Sequence, residues 1–212
     1  MKHHITKEDI KLFQYWRSSC SWRVRWALRL KEIPHEINSV NLKNGEQEQK
    51  KWLEKHPGGL LPQLHYKDKI LSQSLSILEW LEETHPTPSL LPRDSLEKQK
   101  VRELCHIIAC DTQPLQNLRV LKKSHDQKKH AYTWIHKGLT VFEYSRDKKD
   151  YFCYGNQITM ADLCFVPQWY NALRFDIKKE DFPLLHDIYI RCLKTEPCFL
   201  SSPQEQPDAM SS

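Results

Sequence analysis

Residues 17–23 read Arg17-Ser18-Ser19-Cys20-Ser21-Trp22-Arg23. Three hydroxyls, a thiol and two guanidinium groups fall where a short apolar run gives way to helical spacing. A helix start presents backbone N–H groups and the positive end of the helix dipole, which favour an anion: a carboxylate, a phosphate or a thiolate. Ser18 or Ser19 would serve equally as a plain N-cap, so capping and anion binding both fit the cluster. Cys20, at a helix start beside arginines, is expected to be the reactive cysteine. No histidine adjoins it, which weakens a Cys-His hydrolase reading. Cys105, Cys110, Cys153, Cys164, Cys192 and Cys198 are expected to act as small buried hydrophobes.

A second helix start is expected at Gln73-Ser74, again fit either for capping or for an anion. Between the two clusters, Leu61-Pro62 stands at the mouth of a strand. Proline has no N–H for a central strand, so this is either an edge strand or a cis bond shaping a ligand loop. Together these features suggest a cradle for a small elongated anion. Further on, Asp111-Thr112-Gln113-Pro114-Leu115-Gln116-Asn117-Leu118 puts a proline and several amides into an otherwise helical run. That predicts a kink whose amides can face a ligand. Arg174 ends a helix among apolar neighbours and suits the dipole there. Thr159-Met160-Ala161-Asp162 has the form of a capping box and is assigned to folding.

The elements that would position these residues follow from periodicity. Residues 11–16 read as a buried strand, and Val24, Ala27, Leu28, Leu30 and Ile33 recur at helical spacing up to Pro34. A strand is expected at 35–41, a basic helix at about 46–55, a strand at 61–66, and a return strand after a turn at 67–69. A third helix is predicted to open at Ser72 or Gln73 and to carry Leu75, Ile77, Leu78, Trp80 and Leu81. This β-α-β-α-β-β-α order makes a small α/β layer, parallel in its first half and antiparallel in its second. The three prolines of 84–92 mark a linker. Beyond it, stretches at about 96–121, 128–145, 160–172 and 184–194 are amphipathic and helical. The expected domains are 10–84, α/β, and 93–200, all-α, with 201–212 as a flexible tail.

Composition excludes several functions. The chain has 212 residues with 32 Lys and Arg against 27 Asp and Glu, a net charge of +5. Those charges are spread along the chain, whereas a nucleic-acid footprint clusters, so no nucleic-acid partner is expected. No run approaches the ~20 apolar residues of a membrane span, and Met1–Asp9 carries no apolar signal core. Seven cysteines with neither CxxC nor zinc-ligand spacing predict no metal and a reducing, cytoplasmic setting. The chain has neither GxGxxG nor GxxxxGK[ST], which argues against a nucleotide-phosphate loop.

Ser18-Ser19-Cys20-Ser21-Trp22-Arg23-Val24-Arg25 closely resembles the signature of the zeta class of glutathione transferases, a class that includes maleylacetoacetate isomerase. Gln73-Ser74-Leu75, Leu78–Thr84, Gln113–Leu118 and Thr159–Cys164 look like the same class, and the likeness runs from about residue 11 to about 200. The resemblance implies a thioredoxin-like N-terminal domain followed by an all-helical C-terminal domain. It implies glutathione as cofactor, a small acidic substrate and a homodimer. Ser18, Ser19 and Cys20 would be catalytic, with Ser18 bonded to the glutathione sulfur. Ser21, Trp22 and Arg23 would complete that end of the glutathione site. Gln47 would approach the glycyl end, Leu61 would pair by its backbone beside a cis Pro62, and Gln73 and Ser74 would hold the γ-glutamyl carboxylate. Gln113 and Asn117 would reach in from the helical domain, and Arg174 with Arg17 would meet substrate carboxylates. The implied reaction is glutathione-dependent cis–trans isomerisation of maleylacetoacetate to fumarylacetoacetate in tyrosine and phenylalanine degradation, with possible transferase and α-haloacid dehalogenation activity. Maleylpyruvate isomerase and a non-catalytic binding protein are the alternatives. The chain departs from this pattern at Leu60-Leu61, where relatives usually place valine before the proline, and at Arg119, which adds charge beside Asn117.

Overall fold

The computed structural model describes residues 9–54 and 56–209. The N-terminal stretch before Asp9, Lys55 at the end of the predicted basic helix, and the last three residues of the predicted tail lie outside them.

Contacts divide the chain into two units: the residues up to Pro88 together with those from Glu196 onward, and Ser89–Thr195. In the first unit the strands are β1 (Ile10–Gln14), β2 (Glu36–Ser39), β3 (Gln63–Tyr66) and β4 (Lys69–Ser72), in the order β2-β1-β3-β4. β1 pairs parallel with β2, Leu12 opposite Ile37, and antiparallel with β3, Leu12 opposite Leu64. β3 and β4 form an antiparallel hairpin. Helix α1 (Ser19–Leu30) connects β1 to β2, the long crossover that a parallel pair requires. The predicted basic helix is instead a 3₁₀ turn at Glu46–Glu48 and a single turn, α2 (Lys50–Leu53). None of the residues of that stretch is buried, so it has no apolar face to hold a longer helix together. Helix α3 (Ser74–Thr84) buries Ile77, Leu78 and Leu81 and packs on α1. Leu61-Pro62 is a cis peptide bond, and β3 is a central strand, not an edge.

Helix α1 buries everything from Ser21 to Leu28, including Arg23 and Arg25 at 1% and 0% exposure. A one-sided stripe does not predict this. The cover on its other side is the chain end, where α9 (Glu196–Ser201) packs on α1. Trp22 donates from Nε1 to Ser201 Oγ at 3.0 Å, and Arg25 donates to the Ser201 carbonyl at 3.0 Å, to the Trp16 carbonyl at 3.0 Å and to Gln14 Oε1. Burial pulls the Arg25 guanidinium down to about 9, against the pull of the Asp208 carboxylate, so it is still a cation at neutral pH. Asp208 also accepts from the Gln14 amide at 3.2 Å and the Trp16 N–H at 2.9 Å. The expected flexible tail is therefore corrected up to Ala209. Ser201, Ser202, Pro203 and Gln206 are buried, and Ser201 and Asp208 supply acceptors to donors of α1 and β1.

The second unit is helical: α4 (Ser95–His106), α5 (Leu118–Leu121), α6 (Gln127–Ser145), α7 (Met160–Arg174) and α8 (Pro183–Leu193). Its core stacks Phe142 on Phe165, centroids 5.1 Å apart, and sets Trp169 tilted against Phe165 at 5.9 Å. The Thr159–Asp162 capping box forms as expected, and Asp162 also accepts from the Cys153 N–H at 2.8 Å. Cys110 is exposed, contrary to expectation, while the other five cysteines outside the 17–23 cluster are buried.

Replacing Asp208 with alanine leaves the Gln14 amide and the Trp16 N–H without this acceptor and Arg25 without its counter-charge. The variant is expected to lose about 1–3 kcal/mol of unfolding free energy in urea titration, and a loss below ~0.5 kcal/mol would mean the chain end is not fastened there.

Candidate active site

At the start of α1, Ser18 has extended backbone (φ −70°, ψ 119°) and its Oγ accepts from the Ser21 N–H at 3.2 Å. The Ser18 carbonyl accepts from the Trp22 N–H at 2.9 Å. A hydroxyl that accepts from its helix still carries one O–H to donate, and it does so where the helix dipole favours negative charge. Capping and anion recognition are thus compatible in one side chain. Arg17, Ser18, Ser19 and Cys20 are all half-buried, and the Arg17 guanidinium lies 5.4 Å from the centre of the Trp16 ring.

Deeper in α1 the expectation changes. Ser21, Trp22 and Arg23, assigned above to glutathione, are buried. The Trp22 indole is committed to Ser201, and Arg23 donates from NH1 to Ser74 Oγ at 3.1 Å. Helical geometry turns these positions away from half-buried Ser18–Cys20 and into the packing between α1 and its neighbours. The Trp22 and Arg23 side chains hold the scaffold, and Arg23 ties the start of α3 to α1.

Gln73 stands at the N-cap position of α3 without a side-chain capping bond, at φ +69° and ψ 108°, a backbone conformation sparsely populated by residues with a Cβ. Such strain persists where the surroundings over-determine it, and it concentrates at functional sites. The Gln73 side chain is exposed and Ser74 is buried against Arg23. Leu61 is half-buried just ahead of β3. Gln47 lies in the 3₁₀ turn and its amide donates to Glu48 Oε1 at 3.4 Å. Gly59 backs this turn: its φ is +56°, and a Cβ there would sit 3.1 Å from the Gln47 carbonyl oxygen.

In the helical unit the kink forms where the amides predict it. A π-helical turn at Ile107–Thr112 passes into a 3₁₀ turn at Gln113–Gln116, with Asn117 as the cap of α5. Thr112 closes the π turn by donating to the Ile107 carbonyl at 2.7 Å. α6 approaches so closely that a Cβ on Gly138 would lie 2.0 Å from Thr112 Oγ1. Gln113 and Asn117 are half-buried. Gln116, which was not singled out as a site residue, is buried and bonded to α7: its Nε2 donates to Gln168 Oε1 at 2.6 Å, and its Oε1 accepts from Asn171 Nδ2. Asn171 Oδ1 in turn accepts from Arg174 NH1 at 2.7 Å. The spacing of Gln168, Asn171 and Arg174, three apart on one helix face, was the only signal for this group.

The donor set of the first unit suits an elongated anion. That set is a hydroxyl-capped helix start, a second helix start with an exposed amide, and a half-buried strand mouth between them in sequence. Two family models cover most of the chain: glutathione S-transferase, N-terminal domain, over residues 17–84, and glutathione S-transferase, C-terminal domain, over 108–196. A probable maleylacetoacetate isomerase of Drosophila melanogaster is 41% identical over 213 residues, 97% of this chain and 93% of that protein. The maleylacetoacetate isomerase of Mus musculus is 40% identical over 93% of this chain and 94% of its own length. Among solved structures, a bacterial maleylpyruvate isomerase described as a zeta-class glutathione transferase superposes with a TM-score of 0.90 at 34% identity, covering 94% of this chain and 99% of its own. A maleylacetoacetate isomerase from Anaeromyxobacter dehalogenans with bound glutathione does so at 0.85 and 37%, covering 94% and 97%.

Two expectations follow from the geometry. Gln73→Gly removes the strained φ at the cost of some chain entropy and is expected to raise unfolding free energy by roughly 1 kcal/mol, whereas Gln73→Ala leaves it unchanged. Gly138→Ala forces Thr112 aside and is expected to lower stability by about 1–3 kcal/mol, with altered amide chemical shifts at 107–117 in NMR spectra. From the two family models and the relatives matched over almost the full chain, the protein belongs to the glutathione S-transferase family, in its zeta class.

Proposed function

We propose that this protein is a glutathione-dependent cis–trans isomerase acting on maleylacetoacetate. The observation that carries the reading is the seryl cap of α1, in a chain whose fly and mouse relatives bear the name maleylacetoacetate isomerase over nearly their whole length. On this reading Ser18 is the donor to the glutathione sulfur, with Ser19 and Cys20 beside it on the first turn. Gln73 and Ser74 receive the γ-glutamyl carboxylate, Leu61 the cysteinyl backbone, and Gln47 the glycyl end. Gln113 and Asn117 are assigned to glutathione, and the guanidinium groups of Arg17 and Arg174 to substrate carboxylates. The protein acts as a homodimer in the cytoplasm, in tyrosine and phenylalanine breakdown.

When bound, glutathione supplies a nucleophilic sulfur for reversible addition to a conjugated double bond, which frees that bond to rotate. The chain's own tasks are three. Ser18 and the α1 dipole keep negative charge favourable at one point, since fixed dipoles need no reorganisation when charge develops there. The arginines orient the acidic substrate by its carboxylates, which limits the geometries it explores. Neither task calls for net oxidation or reduction. The third is a scaffold duty: Arg23 keeps the two helix starts in fixed relation.

A second reading, maleylpyruvate isomerase, is favoured by the 0.90 superposition on an enzyme of that name. Steady-state kinetics on the two substrates side by side separate them, the larger kcat/KM identifying the activity.

Ser18→Ala is expected to lower kcat by roughly 10²–10³-fold. Calorimetric affinity for glutathione should move by less than about 1 kcal/mol, and stability should fall by about 1 kcal/mol through the lost cap. Wild-type turnover in a folded Ser18→Ala variant would remove Ser18 from the chemistry, and absence of glutathione binding at millimolar concentration would remove the whole reading.

A further inference from the structure

We infer that Asn171 and Gln116 are positioning residues that set the guanidinium of Arg174 in place before an acidic ligand arrives. The inference rests on the reading of Arg174 as the carboxylate anchor and deepens it. Arginine can only donate, so the group that Arg174 NH1 meets must be the Asn171 oxygen. That choice leaves Asn171 Nδ2 as a donor, and it points at Gln116 Oε1. Gln116 must then present Nε2 to its next neighbour, and it does so to Gln168 Oε1 at 2.6 Å. One cation at the end of α7 thus fixes the orientation of three amides in succession, and the last of them, Gln168, is fully buried. Its Nε2 has no hydrogen-bond partner among the described residues, so the relay ends there.

A helix-terminal arginine that merely complements the dipole needs no such chain. Arg174 is exposed, and an exposed arginine ordinarily samples many rotamers. Here it is held at NH1 by Asn171, and its guanidinium lies 5.9 Å from the centre of the Phe175 ring. Charge-assisted bonds are the strong ones, and bonds in series polarise one another. Removing rotamer freedom in advance lowers the cost of binding, which is how such a relay would tighten carboxylate capture without touching the ligand. Gln116 anchors the relay to the 3₁₀ turn, whose backbone is locked by the close approach of Gly138 to the neighbouring Thr112.

The test is a double-mutant cycle read by malonate binding to the glutathione-saturated protein, followed by calorimetry and by competitive inhibition. Arg174→Ala is expected to weaken malonate by at least about tenfold, and Asn171→Ala by roughly 5–30-fold, with glutathione affinity within about twofold of the parent. The double variant should bind malonate no more weakly than Arg174→Ala alone, because Asn171 acts through Arg174. In turnover, Asn171→Ala should raise KM for the acidic substrate and leave kcat near its parent value. Gln116→Met, which keeps length and removes the amide, should repeat the Asn171→Ala pattern and serves if that variant does not fold. Multiplying losses in the double variant, or parental malonate affinity in Asn171→Ala or Gln116→Met, overturn the relay while leaving Arg174 as anchor. Parental malonate affinity in Arg174→Ala overturns the anchor itself, and the relay's purpose with it.

Discussion

The bond from Arg23 to Ser74 is the constraint on which the N-terminal unit depends. A guanidinium is a donor at every nitrogen and is costly to bury, so its position in the core is tolerated only with acceptors correctly placed. Ser74, the first residue of α3, is one of them. The consequence is geometric: α3 can begin only where its first hydroxyl meets a side chain projecting from the second turn of α1. Two helix starts, each with N–H groups that no carbonyl within its own helix accepts, are thereby held in one relation. Gln73, one residue earlier, carries the positive φ that this junction imposes.

The helical unit solves a similar problem with amides. A π turn followed by a 3₁₀ turn breaks a long helical pattern, and the break is stabilised by a missing side chain, that of Gly138, which lets α6 approach Thr112. The break brings Gln116 within reach of Gln168 and Asn171. In both units a polar side chain from one element is buried in order to locate the start or end of another. Apolar packing alone, such as Phe142 on Phe165, gives cohesion but leaves such registers free to slide.

The chain end shows how far a composition-based reading goes. From Ser201 onward the residues are prolines, serines and glutamines with little apolar content, the pattern of a loose terminus. They are nevertheless packed, because the surface they cover carries donors to be met: the buried Trp22 indole, Arg25 guanidinium and Gln14 amide, and the half-buried Trp16 N–H. Polarity is the matching property there, and hydropathy has no sensitivity to it. For the same reason hydropathy does not reveal the burial of Arg23 and Arg25, and Cys110, expected to be buried, stands exposed on the π turn.

Residue order alone determined the alternation of strands and helices, the Ser18 cap, the Thr159 capping box and the kink at Asp111–Leu118. Each is set by contacts within a few residues, where side-chain type and spacing suffice. It also carried the resemblance to the zeta class, through the string Ser18–Arg25 and the segments at 73–75, 78–84, 113–118 and 159–164. What tertiary structure decided was which of those groups face outward. Trp22 and Arg23 sit in the same short motif as Ser18 but belong to the scaffold, since their partners, Ser201 and Ser74, lie 179 and 51 residues away. Gln116 likewise became part of the Arg174 relay only because α7, more than fifty positions on, presents matching amides. Long-range pairing of polar groups has no local periodicity, and only the folded chain brings the two halves of each bond together.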